Sequence, residues 1–559
     1  MPRSSSSRST TPVDELSPAG PYRALKQAGL LLLCLTWVLL GVVGHDPWKT
    51  EDATAFGIAW EMMQSGNFLV PMLAGEPYYG QPPLLYALAA LLGKALGGVL
   101  AVHDAARLAA ALLLGVTLLT ITAAGIELNG RKTRWLPLLL LIGCVGLWDR
   151  AHQLAPELGL LVGMTAAVWG LALALRRPVG GGALTGIAAG FAFLTHGFTG
   201  PLWIGATLLA LTAVGARYRS RSHLLATIAA LLAFAVVAAA WPAMLLPAAP
   251  EHLAGWWARQ LPAGIGATLG GDPLALAKNL PWFAWPVLPL ALWTLWMRGR
   301  GFNGGLRVPG VEIPATLAGV TIVGLALLPE PRAIMVMPLL VPLCLIAALE
   351  IDTLKRGFSA ALDWFGILTF GLLAALVWWI WIDAYVHGLA PRIARLFRDS
   401  ESGYQPDLRW LALAIAVFLT VLWLALVRPA RRSNRRAVLN WAAGMTLLWG
   451  LYTTIWLPYL DARRSYRPMA ESIATHLPAT GCVASRQLGE PQRALLHYYA
   501  GLTTVREERQ PDHRCGALLV QYGRVDRDPA APTGWTVAWE GRRRGDESER
   551  FVLYQKVAP

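Results

Sequence analysis

HDPWKTEDATAFGIAWEMMQSGNFLVPMLAGEPYYGQPPLLYALAALLGKALG occupies residues 45–97, a loop between two apolar runs at 25–44 and 104–126. Thr50 is placed to cap a helix, with Glu51 and Asp52 in its first turn, where carboxylates favour the positive helix end. Phe56, Trp60 and Met63 then share one apolar face, as in a helix lying along a membrane interface, and Gly66 ends it. Two readings of Glu51 and Asp52 are open from the residues alone. They cap the helix and do nothing else, or one of them acts as a general base for an acceptor hydroxyl or holds a metal ion.

The rest of the chain says in what solvent this loop sits. Of 559 residues, 55% are apolar and only 15% charged, against roughly 25% charged in an ordinary soluble protein. Thirteen apolar spans are expected, near 25–44, 104–126, 135–149, 154–175, 181–196, 199–214, 223–247, 280–297, 309–328, 331–350, 362–385, 408–427 and 438–457. Several are shorter than the roughly 20 residues that cross a bilayer comfortably. The net charge of +14 does not point to nucleic acid, because the Arg and Lys fall in short segments between spans. Examples are Arg131, Lys132 and Arg134; Arg176 and Arg177; Arg217, Arg219 and Arg221; and Arg428 to Arg436. These alternate with Arg-poor connections, as the positive-inside rule requires of a chain with its N-terminus in the cytoplasm. The long loops 45–103, 248–279 and 386–407 then lie outside, as does the polar C-terminal segment.

Residues 1–24 read as a cytoplasmic tail, 25–457 as the membrane domain and 458–559 as a small mixed helix and strand domain. Strand-like runs start at Cys515 (CGALLVQYG) and Glu549 (ERFVLYQKV). Cys482 and Cys515 both fall there, where an oxidising compartment would permit a disulfide; two buried thiols are the alternative.

The carboxylate pair followed by WEMMQSGNFLVPMLAGEPYYGQPPLLYAL resembles the first periplasmic loop of the aminoarabinose transferase and protein O-mannosyltransferase superfamily. These are GT-C glycosyltransferases that use polyprenyl phosphate sugars. FLTHG at 193–197, PRAIMVMPLLVPLCLIAAL at 331–349 and SYRPMAESI at 465–473 are similar in order and spacing. The resemblance implies a polytopic α-helical inner-membrane enzyme of GT-C type with about 13 transmembrane helices and a periplasmic α/β domain. It would move a sugar from undecaprenyl phosphate to lipid A, a surface glycan or a protein, with inversion at the anomeric carbon.

By position, the family's acidic pair falls on Glu51 and Asp52 in reversed order. Gly80 and Gln81 stand where relatives carry Glu-Lys before the two prolines, Thr54 where close relatives have Arg, and His196 where a Lys usually follows LT. Arg332 occupies the region of a basic contact to the carrier phosphate. Arg150 offers a planar fork matched to phosphate oxygens; Tyr78, Tyr79, Gln81 and His196 complete the expected donor or substrate contacts. Asp149, His152 and Glu157 gather on the same side. Glu251 with His252 is an option for a divalent metal, although two ligands do not define a site, and no cofactor is required. The expected partners are the lipid-linked donor, a lipid or glycan acceptor and membrane phospholipid, for a monomer. Two other classes stay open: a transporter or flippase of lipid-linked sugars, and a non-catalytic envelope assembly protein.

Overall fold

The computed structural model describes residues 20–261, 273–327, 333–388, 406–428, 433–478, 480–523, 532–544, 546 and 548–557. Arg332 and most of the expected tail and of the third long loop lie outside these residues.

Apolar stretches without interruption form long helices because a bilayer leaves backbone groups no partner but each other. Among the described residues, six helices are long and apolar enough to cross a membrane: Val102–Asn129, Pro156–Ala174, Pro178–His196, Arg221–Ala248, Pro309–Leu327 and Arg356–His387. A seventh candidate is a pair, Leu276–Phe283 and Val287–Gly299, bent by 98°. Shorter apolar helices occur at Ala24–Leu39, Leu84–Leu96, Thr199–Val214, Ala333–Ala347 and Trp410–Leu426. Two expected spans differ from what is found. Residues 135–149 hold a seven-residue helix, Leu136–Ile142, followed by irregular turns, and 280–297 is broken at Pro286, whose ring and missing N–H cannot continue a straight helix.

Small residues let the spans approach closely. A Cβ on Gly182 would sit 2.1 Å from the carbonyl of Ala226, and one on Gly186 equally near that of Ala230. Pro178–His196 and Arg221–Ala248 therefore pack backbone to backbone. The opposite faces stay bare: Leu231, Leu232 and Val236 on one helix and Leu368, Leu372 and Trp379 on another are exposed, the surface a lipid phase would cover.

The loop after the first helix folds into Glu51–Ser65, a two-stranded hairpin of β1 (Met72–Leu73) and β2 (Glu76–Pro77), and Leu84–Leu96. Gly66 ends the Glu51–Ser65 helix in the left-handed conformation at φ 70°, its N–H bonding Met62 O, which a residue with a Cβ adopts only at a cost. Instead of capping the helix, the Thr50 hydroxyl donates to the Glu51 carboxylate. The expected interfacial face is an interior contact as well. Phe56 and Met63 are buried, and Tyr498 from the C-terminal region packs edge-on against Phe56 and Trp60, ring centroids 4.8 and 5.0 Å away.

The C-terminal region contains a five-stranded sheet in the order β4-β3-β5-β7-β6. β3 (Val483–Arg486) runs parallel to β4 (Thr504–Arg506) and β5 (Ala517–Gly523); β7 (Glu549–Lys556) is antiparallel to β5 and to β6 (Trp535–Gly541). The Glu490–Ala500 helix is the crossover between β3 and β4, as parallel pairing demands. Cys482 and Cys515 form a disulfide, while Cys34, Cys144 and Cys344 are free. Denatured protein should expose three reactive thiols without reductant and all five after reduction. Five thiols in protein prepared without reductant would contradict the pairing.

Candidate active site

The two adjacent carboxylates point to different places, because consecutive helical residues do not share a face. Asp52 is 2% exposed and Arg107, from Val102–Asn129, 1%. Arg107 meets Asp52 through Nη2 at 3.1 Å and Nε at 3.3 Å, and the backbone N–H groups of Leu154 (3.0 Å) and Trp48 (3.2 Å) donate to the same carboxylate. Burial works against its ionisation, but the charge of Arg107 and these hydrogen bonds outweigh it and hold the Asp52 carboxyl below its ordinary range. The rest of the guanidinium binds Val42 O (2.9 Å), His45 O (3.3 Å) and Asp104 Oδ1 (3.0 Å). One ion pair thus ties the end of the first helix, the loop and the Leu154 turn to one span.

A second buried acidic group lies beside it. Asp46 takes Arg467 Nε at 3.1 Å and the Ser465 hydroxyl, and these offset burial to lower its pKa. Asp461 accepts the Asp46 N–H at 2.9 Å and the Trp48 indole N–H at 3.0 Å; burial dominates there and raises its pKa.

Glu51, by contrast, lines a cavity of about 350 Å³ with Tyr78, Gln81, Tyr86, Glu157 and Glu490. Five parts of the chain meet there: the loop helix, the segment before the paired prolines, the start of Leu84–Leu96, the start of Pro156–Ala174 and the start of Glu490–Ala500. Three carboxylates and two phenols give it acceptor-rich walls. His196 stands behind Glu157, Nε2 to Oε1 3.9 Å, and is 4% exposed.

The other expected residues sort plainly. Tyr78, Gln81 and, through Glu157, His196 join Glu51; Asp52 does not reach the cavity wall. Tyr79 packs on the His252 ring, centroids 4.9 Å apart, and Gln260 closes this corner by donating to Gly80 O. Arg150 bonds Gly146 O at 3.4 Å and lies over the Phe283 ring rather than lining the cavity. Glu251 is exposed whereas His252 is buried, so the pair does not converge, and among the described residues no three His, Cys, Asp or Glu side chains gather to hold a metal.

Arg107, Asp104, Tyr86 and Glu490 were not expected. The first two had a signal: Asp104 and Arg107, three residues apart at the start of an apolar span, are ionisable groups at membrane depth, which rarely sit there unpaired. Glu490 had none, since only folding brings a residue from the C-terminal region to this cavity.

No protein-family model matches this sequence. Across 96% of the chain and 98% of theirs, the model superposes on crystal structures of ArnT from Cupriavidus metallidurans, without ligand (TM-score 0.67, 16% identity) and bound to undecaprenyl phosphate (0.68, 17%). The chain shares the fold of these structures. The archaeal oligosaccharyltransferase of Archaeoglobus fulgidus shares it more distantly, at TM-score 0.50 and 12% identity over 87% of this chain and 65% of that one. In sequence, two undecaprenyl phosphate-alpha-4-amino-4-deoxy-L-arabinose arabinosyl transferases of Pseudomonas fluorescens are 29% and 26% identical over 297 and 292 residues. The chain spans about half the length of these curated relatives, 49% and 51%.

Removing either partner of the buried pair strands the other charge. Asp52→Asn or Arg107→Gln should cost about 3–5 kcal/mol, read as a large fall in melting temperature in detergent. Glu51→Gln should melt like the wild type. Asp46 and Asp52 ionise more readily folded than unfolded. Their contribution is complete above the unfolded carboxylate pKa of about 3.9 and is lost as pH falls through their lower folded values. Asp461 acts in the opposite sense, stabilising as pH falls. A melting series from pH 6 to pH 3 should show less acid loss in Asp46→Asn than in the wild type, relative to each protein's value at pH 6.

Proposed function

We propose that this protein transfers a glycosyl group from a polyprenyl phosphate sugar to an acceptor at the outer face of a bacterial inner membrane. The observation that carries the reading is the Glu51 cavity at the meeting of the loop, the membrane helices and the C-terminal region, in a fold shared along its whole length with ArnT. The relatives named as undecaprenyl phosphate aminoarabinose transferases, and the ArnT structure bound to undecaprenyl phosphate, supply the donor class.

In this reading Glu51 is the catalytic carboxylate and Asp52 its anchor. Glu51 accepts the proton of an acceptor hydroxyl as its oxygen attacks the anomeric carbon from the side opposite the phosphate, and the carbon–phosphate oxygen bond breaks with inversion. Departure of the phosphate is eased by a cation beside it; the proposed contributors, taken from the family resemblance, are Arg332 and, once it leaves Gly146 O and the Phe283 ring, Arg150. Gln81 and Tyr78 orient the sugar, with Tyr79 and His196 supporting the wall. Gly80 and Gln81, in place of the Glu-Lys of the resembling family, make the acceptor and sugar open to change within this class.

Thirteen membrane segments, two of them (135–149 and 280–297) broken rather than straight, with the N-terminus in the cytoplasm and residues 458–559 in the periplasm, are part of the same proposal. The Cys482–Cys515 disulfide supports it, since such bonds persist in oxidising compartments. The protein acts as a monomer.

Purified protein in liposomes, given labelled undecaprenyl phosphate aminoarabinose and lipid A, tests the reading; lipid mass spectrometry of cells with and without the gene covers other sugars. Glu51→Gln should lower the transfer rate by about 10²–10⁴ with its melting temperature intact. Full activity in Glu51→Gln refutes the catalytic role, and unchanged pools of glycosylated carrier and acceptor in cells refute the transferase reading itself.

A further inference from the structure

A second cavity, of about 390 Å³, lies at the other end of the membrane helices. The Pro156–Ala174 helix locates it. Glu157 in its first turn lines the Glu51 cavity, and Ala174, its last residue, lines the second. Seventeen residues apart, at about 1.5 Å rise each, the two are separated by about 26 Å, close to the roughly 30 Å hydrocarbon thickness of a bilayer. The second cavity therefore opens at the opposite membrane surface.

Its chemistry is divided. Leu175, Leu211 and Ala226 give it apolar walls, while Arg217, Ser220 and His223 line it as well, and no carboxylate is among its lining residues. Ser220 caps the Arg221–Ala248 helix, its hydroxyl accepting His223 N–H at 3.3 Å, so the cavity lies at the positive end of a 28-residue helix. Two neighbouring cations have other tasks. Arg219 bonds Thr212 O at 3.0 Å and also Ala213 O, closing the end of Thr199–Val214, and Arg176 pairs with Glu127. Arg217 is exposed and forms no salt bridge among the described residues. Glu312 sits behind, facing Tyr218 and Gly215.

A soluble anion would satisfy Arg217 and leave the apolar walls in water. A hydrocarbon would fill the walls and leave the cation unmatched. An amphiphile with a phosphate head uses both, and basic pockets between spans near the membrane surface suit such heads. We infer that this cavity binds the phosphate head of a lipid from the leaflet opposite the Glu51 cavity, at Arg217 and the first turn of Arg221–Ala248, with a chain against Leu175 and Leu211. A glycerophospholipid and a polyprenyl phosphate both carry that chemistry.

The test is thermal melting of the full chain in nonionic detergent with phosphatidylglycerol, phosphatidylcholine of the same chains, undecaprenyl phosphate or inorganic phosphate. Phosphatidylglycerol should raise the melting temperature more than phosphatidylcholine, and inorganic phosphate should not. Arg217→Gln should weaken the half-maximal response at least about tenfold, as loss of a charged hydrogen bond to phosphate predicts. Ser222→Trp, a change at an exposed lining residue, should block it without disturbing the core. Undecaprenyl phosphate is scored only by the part of its effect that these variants remove, since it has the Glu51 cavity as a second place to bind. Variant-sensitive stabilisation by phosphatidylglycerol alone, by undecaprenyl phosphate alone or by both supports the site and names the source. Equal stabilisation by phosphatidylcholine, or wild-type responses in both variants, overturns it.

Discussion

The Glu51 end of this protein depends on one buried charge pair. Asp52 and Arg107 are withdrawn from water almost completely, and such a pair is tolerable only when every remaining donor and acceptor finds a partner. Here they do: two backbone N–H groups complete the carboxylate, and two carbonyls and Asp104 complete the guanidinium. The consequence is geometric. Because Asp52 is fixed inward, the preceding residue of the same helix, Glu51, is turned toward the cavity, so the anchor sets where that carboxylate points.

The same region joins the loop to the C-terminal sheet. Arg467 and Ser465 hold Asp46, Lys49 pairs with Glu549, and Arg493 and Arg509 approach Glu76 of the hairpin at 3.2 and 3.1 Å. Apolar packing runs alongside: a Cβ on Gly57 would meet that of Ala494 at 2.5 Å. These contacts bring Glu490 to the cavity, so the C-terminal region forms part of its wall. Ionic contacts of this kind fix orientation more than they add stability, which suits a seam that must place one helix end against a cavity.

Much of this was legible. The apolar runs, the alternation of arginines, the helix that begins at Glu51 and ends at Gly66, and the strands after Cys515 and Glu549 all follow from local pattern. Tyr78 and Gln81 were also within reach, lying on the loop that carries the carboxylate pair. The misreadings share a cause. The Phe56, Trp60 and Met63 face was assigned to a membrane surface because an apolar stripe does not say what covers it, and Tyr498 covers much of it. Residues 135–149 and 280–297 looked like spans because composition does not register a break at a glycine or proline turn. The pairing of Glu251 with His252 failed because neighbours in a helix point apart.

Sequence by itself determined the solvent of this chain, the order of its helices and the presence of an acidic pair outside the membrane, since hydropathy, charge placement and turn residues act over a few neighbours. Only the tertiary structure decided which member of the pair is buried and which faces open space. It alone decided that Arg107 is the partner, that Cys482 meets Cys515, and that Glu490 completes the cavity. Those outcomes depend on groups tens to hundreds of residues apart being dehydrated together, and the balance between desolvation and pairing that settles each one exists only after the chain has closed around them.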